Sequence, residues 1–109
     1  MPTPYEHLAE INRLVHEPAR LAILTALSAC EEADFLFLLN ITGLTKGNLS
    51  SHLSKLEHGG LVMIRKVFEG KTPVTYARLT PEGREGLKEY WARLEKIRKG
   101  ARLRPLKVT

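Results

Sequence analysis

A chain of 109 residues, 43% hydrophobic and 27% charged, can build one core of modest size and is too short for two ordinary domains. Its longest apolar run, Phe35 to Leu39, cannot cross a bilayer, and the opening Met-Pro-Thr-Pro lacks the basic and apolar segments of a secretory signal, so a cytoplasmic location is expected. The net charge of +5 is unevenly placed, with two basic against six acidic side chains in residues 1–44 (net −4) and fifteen against six in residues 45–109 (net +9).

Tyr5, Leu8, Ile11 and Val15 recur at helical spacing between Glu6, Glu10 and Arg13, which predicts an amphipathic first helix. His16-Glu17-Pro18 interrupts it, and Pro18 suits the first turn of a second helix running to about Ala29. Leu21, Ala22, Ile23, Leu24, Ala26 and Leu27 make this helix apolar nearly all round, so it belongs at the centre of the core. Cys30 excludes an intrachain disulfide and a thiolate cluster within one chain, and it reads as buried filler at the helix end. Glu31, Glu32 and Asp34 precede Phe35-Leu36-Phe37-Leu38-Leu39. Alone, that run could be a buried strand, because short apolar runs do not reveal their period. Asp34 as a cap and Thr42-Gly43 as a stop favour a short third helix.

The stretch Thr42 to Leu61 carries the strongest signal. Thr45 is an N-cap type, and Gly59 and Gly60 can take the left-handed conformation after a last turn, which delimits a fourth helix. Leu49, Leu53 and Leu56 give it one buried face. The opposite face holds Gly47, Asn48, Ser51, Ser54, Lys55 and His58, small and polar enough to lie close to a major groove, so the helix reads as a DNA-recognition helix. A helix, a tight glycine turn and a helix make a helix-turn-helix. The positive excess begins at the same place, which suits a surface facing phosphates, although solvated basic faces are common.

From Leu61 the pattern becomes β-branched and aromatic. Residues 61–68, a turn over Glu69 to Pro73 and a strand over 74–79 predict a β-hairpin. Thr80-Pro81 with Glu82 in the first turn opens a last helix from Pro81 to about Lys99. Its stripe of Leu87, Tyr90, Trp91, Leu94 and Ile97 needs a partner. Packing on its own domain is one answer. With a second stripe on the first helix (Tyr5, Leu8) and a small core, a symmetric homodimer is the favoured one. The basic, proline-broken tail 100–109 is expected to fray.

The predicted fold is mainly α with a β-hairpin (α+β): a single winged helix-turn-helix domain over 1–99, a two- or three-stranded wing and a long C-terminal dimerisation helix. Three blocks also carry a family resemblance: HEPARLAIL (His16 to Leu24), TGLTKGNLSSHLSKLEHGGLV (Thr42 to Val62) and GKTPVTYARLTPEGR (Gly70 to Arg84). They resemble small winged-helix transcriptional regulators of the ArsR and MarR type over most of residues 5–99. The resemblance implies a homodimer on a palindromic operator in double-stranded DNA, most often a repressor. It further implies a recognition helix in the major groove, a wing along the backbone or minor groove, and terminal helices that dimerise.

Carried onto this chain, the recognition-helix contacts are Thr45, Lys46, Asn48, Ser50, Ser51, Ser54 and Lys55. Lys46 and Asn48 also follow from chemistry, since Asn can pair bidentately with adenine, Lys can donate to guanine, and the first turn enters deepest. Ser51 and Ser54 are assigned to phosphate or to clearance, and Lys55 to phosphate. His52, about 60° round the helix from Leu49, is assigned a structural or positioning role. Arg65, Lys66, Lys71 and Thr72 are the wing candidates, while Arg78 could pair with an acid. The sequence departs from the usual pattern at Leu39, where many such turns keep a small residue four positions before the glycine, which predicts a wider helix crossing. Leu36 and Phe37 are more apolar than an exposed side requires, so something else, such as a partner subunit, is expected to cover them.

ArsR-type regulators often sense metals. Here the last helix has no His, Cys or Asp, His7 and His16 point to opposite sides of one helix, and His52 and His58 do not converge, so no metal or other cofactor is expected within one chain. No paired acids, phosphate loop or nucleophile elbow marks an enzyme. A small-molecule effector is compatible with the sequence but has no marked site. The rival reading is a winged-helix module that binds protein or structured RNA.

Overall fold

A computed structural model describes residues 3–101, the Tyr5 side chain excepted. Of the tail expected to fray, Gly100 closes the last helix, Ala101 caps it, and 102–109 lie outside the described residues.

Helix α1 (Pro4–Ala9) is capped by Thr3 in a reciprocal box with Glu6. It is much shorter than the expected helix through Val15. The cause is Asn12, whose side-chain oxygen accepts the N–H groups of Leu14 and Val15 at 2.9 and 3.4 Å and offers the backbone an alternative to the helix. Ile11 and Val15 are still buried, but from a turn.

Helix α2 (Pro18–Ser28) starts on Glu17, whose carboxylate accepts the N–H groups of Ala19 and Arg20. Ile23, Leu24 and Leu27 are fully buried at the centre of the core, as expected from an apolar helix. Cys30, just beyond, is half-buried, its thiol close to the Ala26 and Leu27 carbonyls. A two-residue strand that the sequence did not announce follows, β1 (Ala33–Asp34). The apolar run then forms helix α3 (Phe35–Thr42), with the Asp34 carboxylate accepting the Phe37 N–H and Gly43 ending it at φ 70°. Helix α4 (Lys46–His58) is capped by the Thr45 hydroxyl, which accepts the Asn48 N–H at 3.1 Å. Of the two glycines after it, Gly60 is left-handed (φ 77°), whereas Gly59 is right-handed and lets the Leu14 side chain pack where a Cβ would stand.

Strands β2 (Val62–Glu69) and β3 (Thr72–Leu79) form an antiparallel hairpin, and β1 adds to the other side of β3, giving the order β1-β3-β2. The hairpin closes through Gly70 and Lys71 alone, with Gly70 at φ 66°, tighter than the expected turn to Pro73. Pro73 is tolerated in β3 because β1 pairs only with Tyr76 and Ala77, leaving that edge open further out.

Helix α5 (Pro81–Gly100) begins at a tight junction. The Thr80 hydroxyl accepts the Gly83 N–H (2.9 Å) and donates to the Gly60 carbonyl (2.6 Å), while the Thr80 N–H donates to the Leu61 carbonyl (3.1 Å). Gly83 sits so close to that Leu61 carbonyl that a Cβ would collide with it. Further along, Arg84 donates to the Ser28 and Cys30 carbonyls at the end of α2, where the helix dipole favours a cation. Leu87 and Tyr90 lie in the core, Leu94 and Ile97 are half-buried, and α1 packs along the second half of the helix, with Arg93 on Glu10 at 2.9 Å. The body is elongated, 67 × 27 × 21 Å.

Two glycines of α5 should respond oppositely to a methyl group. Gly83→Ala should cost about 1–3 kcal/mol through the clash with Leu61. Gly86→Ala, where the added carbon meets only ordinary contact, should be neutral or stabilise by about 0.5–1 kcal/mol. Urea unfolding of both variants checks the pair, and equal shifts would reject the junction as a tight constraint.

Candidate nucleic-acid interface

The buried leucines fix which way α4 faces. Leu49, Leu53 and Leu56 point into the core, so Lys46, Gly47, Asn48, Ser50, Ser51, Ser54, Lys55 and His58 are all exposed. Among the described residues the side chains of Lys46, Asn48, Ser51 and Lys55 have no hydrogen-bond or ion-pair partner, whereas Thr45 is occupied as the cap. At about 100° per residue, Ser50 and Ser54 turn toward the hairpin and Asn48 and Lys55 away from it. Between α4 and the hairpin lies a cleft of about 390 Å³ bordered by Ser50, Ser54 and Glu57 on one side and Lys66 and Thr75 on the other. Lys46 borders a second cleft with Asp34, Leu36 and Thr72.

Pleating sorts the wing into two faces. Ile64 and Ala77 are Cα partners turned to the core, so Lys66 with Thr75, and then Phe68 with Pro73, continue that face outward beside α4. Arg65, Val67 and Glu69, with Tyr76, Val74 and Thr72, occupy the other face. Lys71 stands at the tip. The four wing candidates therefore do not act together: Lys66 is on the α4 side, Lys71 at the end, and Arg65 and Thr72 on the outer face.

Arg65 is also engaged. Its guanidinium makes a bidentate pair with Glu32 (2.6 and 3.1 Å) and lies 4.4 Å from the centroid of the Tyr76 ring, while the Tyr76 hydroxyl donates to Glu69 at 2.6 Å. The hydrogen bonds from Arg65 hold the Glu32 carboxyl below its ordinary range, and the bond to Glu69 raises the Tyr76 hydroxyl above its own. Sequence reasoning missed Glu32, 33 residues distant from Arg65. Strand alternation was the available signal, because it turns Arg65 away from Ile64. Arg78, for its part, has the Met63 sulfur at 3.0 Å as its neighbour.

On the opposite flank of α4, His52 meets the start of α2. Arg20 donates to the Leu14 carbonyl (2.7 Å) and approaches His52 Nδ1 at 3.3 Å, with the Glu17 carboxylate 3.7 Å from the same nitrogen. Partial burial opposes the Glu17 charge, but the N–H groups of Arg20 and Ala19 and the nearby His52 and Arg20 outweigh it and hold the carboxyl below its ordinary range. His52 thus faces protein, in line with its expected positioning role. The other histidines are engaged separately: His7 with Arg93, His16 with Tyr90, and His58 with the Ser54 carbonyl.

The stripe residues divide. Leu87 and Tyr90 are buried within the chain itself and leave little to cover from outside, while Trp91 (46% exposed) and Leu8 (49%) remain outside. The side chain of Tyr5 lies outside the described residues. Trp91 continues into an open apolar groove of about 750 Å³ with Leu21, Ala22, Ala26, Phe37 and Ile41. Leu36 and Phe37 are exposed, 67% and 47%, and Leu39 packs half-buried at the edge of the core.

Comparison with known proteins bears on this geometry. The family described as winged helix DNA-binding domain matches residues 19–98. An uncharacterized protein of Methanocaldococcus jannaschii is 35% identical over 79 residues, covering 72% of this chain and 85% of that protein. A structure of a transcriptional regulator homologue from Pyrococcus horikoshii OT3 superposes with a TM-score of 0.82 at 34% identity, covering 90% of this chain and 99% of the other. A MarR-family transcriptional regulator of Silicibacter pomeroyi shares the fold at a TM-score of 0.63 and 24% identity, covering 94% of this chain and 69% of its own.

If Glu32 restrains Arg65, Glu32→Gln should tighten binding to any duplex and steepen its salt dependence by about one counterion. Anisotropy titrations at several salt concentrations measure both. In the parent protein the folded-state carboxyl is depressed, so the pair is intact above the ordinary carboxylate range and is lost only as the pH falls through the lowered value. An unchanged salt slope in the variant would mean that Arg65, once released from Glu32, reaches no phosphate.

Proposed function

The chain belongs to the winged helix DNA-binding domain family and is a DNA-binding transcription regulator, and from that premise we propose that it works as a cytoplasmic homodimer that represses from a palindromic operator. The observation that carries this reading is the row of exposed, unpartnered side chains on α4, set beside a cationic wing. In this reading α4 enters the major groove. Asn48 and Lys46 read base edges from the first turn, Ser50, Ser51 and Ser54 provide clearance or phosphate contacts, and Lys55 meets the backbone. Lys66 and Lys71 follow the phosphates from the wing. Arg65, on the outer face, contributes charge at longer range, and Thr72 on that face offers only a neutral hydroxyl.

A second copy is supported by surface chemistry. Trp91, Phe37 and Ile41 are large apolar side chains around one groove, a surface of the kind that association buries. The dimer contact then centres on Trp91 with Leu8, Leu94 and Ile97, rather than on the whole stripe.

Selection from a random duplex library should enrich a palindrome, with affinity falling steeply as salt rises. No enrichment at low salt would sink the operator reading in favour of a protein- or RNA-binding module. Asn48→Ala should relax sequence preference by on the order of 1 to 3 kcal/mol at one base pair, while Lys71→Ala weakens all duplexes alike. Trp91→Glu should give a monomer by light scattering, and an unchanged dimer mass would reject this interface.

A further inference from the structure

Phe68 is 75% exposed, more than any other large apolar residue described, and nothing in the DNA reading so far uses it. Its position is well defined. It follows Lys66 by two residues on the face of β2 that borders α4, and Lys71 lies three residues on at the hairpin tip. Its cross-strand partner is Pro73, a rigid and likewise exposed neighbour. The tight Gly70-Lys71 connection prevents the ring from being covered by a longer loop. The result is an apolar projection between two cations, on the side of the wing that faces whatever α4 faces.

Such a surface fits one kind of occupant well. A protein patch would need to satisfy Lys66 and Lys71 while covering only one ring, whereas a duplex supplies phosphates for both lysines and, between them, apolar deoxyribose and base edges. Apolar wedges flanked by basic residues enter the minor groove and part neighbouring base pairs, which is easiest at pyrimidine–purine steps.

We propose that Phe68 is a specificity-determining residue that inserts into the minor groove beside the recognition site and reads the deformability of the flanking sequence. The proposal rests on the DNA-binding reading above. Lys66 and Lys71 hold the two backbones while the ring presses on the step between them, so the protein discriminates among flanks whose bases it never pairs with.

The test uses the 109-residue chain and duplexes that share the selected core but carry either an A-tract or TA and CA steps in the flank. The wild-type protein should prefer the flexible flanks about tenfold, and 2-aminopurine placed at the flanking step should brighten on binding. Phe68→Ala should abolish both effects and weaken binding to the flexible flanks about tenfold, the scale expected for losing one buried aromatic. Phe68→Leu should lie between. The ring is exposed, so neither variant should change the melting temperature, which circular dichroism verifies.

If wild-type protein binds the core but Phe68→Ala keeps the same affinity, flank preference and 2-aminopurine signal, the wedge is wrong and the DNA reading stands. Loss of the dimer in Phe68→Ala with DNA contacts otherwise intact would place the ring in a protein interface and also overturn the proposal. A wild-type protein that binds no duplex removes the DNA reading, and the wedge with it.

Discussion

The hydroxyl of Thr80 holds together four chain ends. It accepts from Gly83 at the start of α5 and donates to Gly60 at the end of α4, while its own backbone N–H reaches Leu61 at the entry to β2 and its chain leaves β3. Helix α4, both wing strands and the long terminal helix therefore meet at one hydrogen-bonded junction. Each of these bonds is worth little alone, but together they are backed by the close approach of Gly83 to the Leu61 carbonyl. A Cβ at that point would separate α5 from the hairpin and displace α4 with them.

The other flank of α4 is held independently. The turn produced by Asn12 brings Leu14 against Gly59 and offers the Leu14 carbonyl to Arg20, which in turn contacts His52 halfway along the helix. The helix is thus fixed from the wing side by Thr80 and from the α2 side by Arg20, with Leu49, Leu53 and Leu56 filling the core between them. The face left over is free of structural duties, which is what a surface that binds a rigid duplex requires.

Much of this was legible in the chain. Asp34, Thr45 and Thr80 cap the helices that they were expected to cap, and the leucine spacing of α4 predicted both its buried side and its exposed one. What could not be read depended on partners distant in sequence or on competition within a turn. Asn12 keeps α1 from extending to Val15, because its side-chain amide outcompetes the helical bonds that the apolar spacing predicts there. β1 formed because Ala33 found Ala77, a pairing without local signal, and Glu32 beside it captured Arg65. Leu87 and Tyr90 looked like interface residues because periodicity shows that a stripe will be covered, not by which molecule.

The two-residue hairpin loop has a consequence for how this chain can vary. Because successive strand residues alternate between faces, inserting a single residue into β2 after Ile64 would exchange the two faces of that strand beyond the insertion. Arg65 would then stand where Lys66 is and Val67 where Phe68 is, with Glu69 following on the α4 side. A two-residue insertion at the tip, by contrast, lengthens the hairpin and leaves its faces as they are. An odd insertion within a strand of this wing therefore reverses the residues beyond it, whereas length changes confined to the tip leave the faces intact.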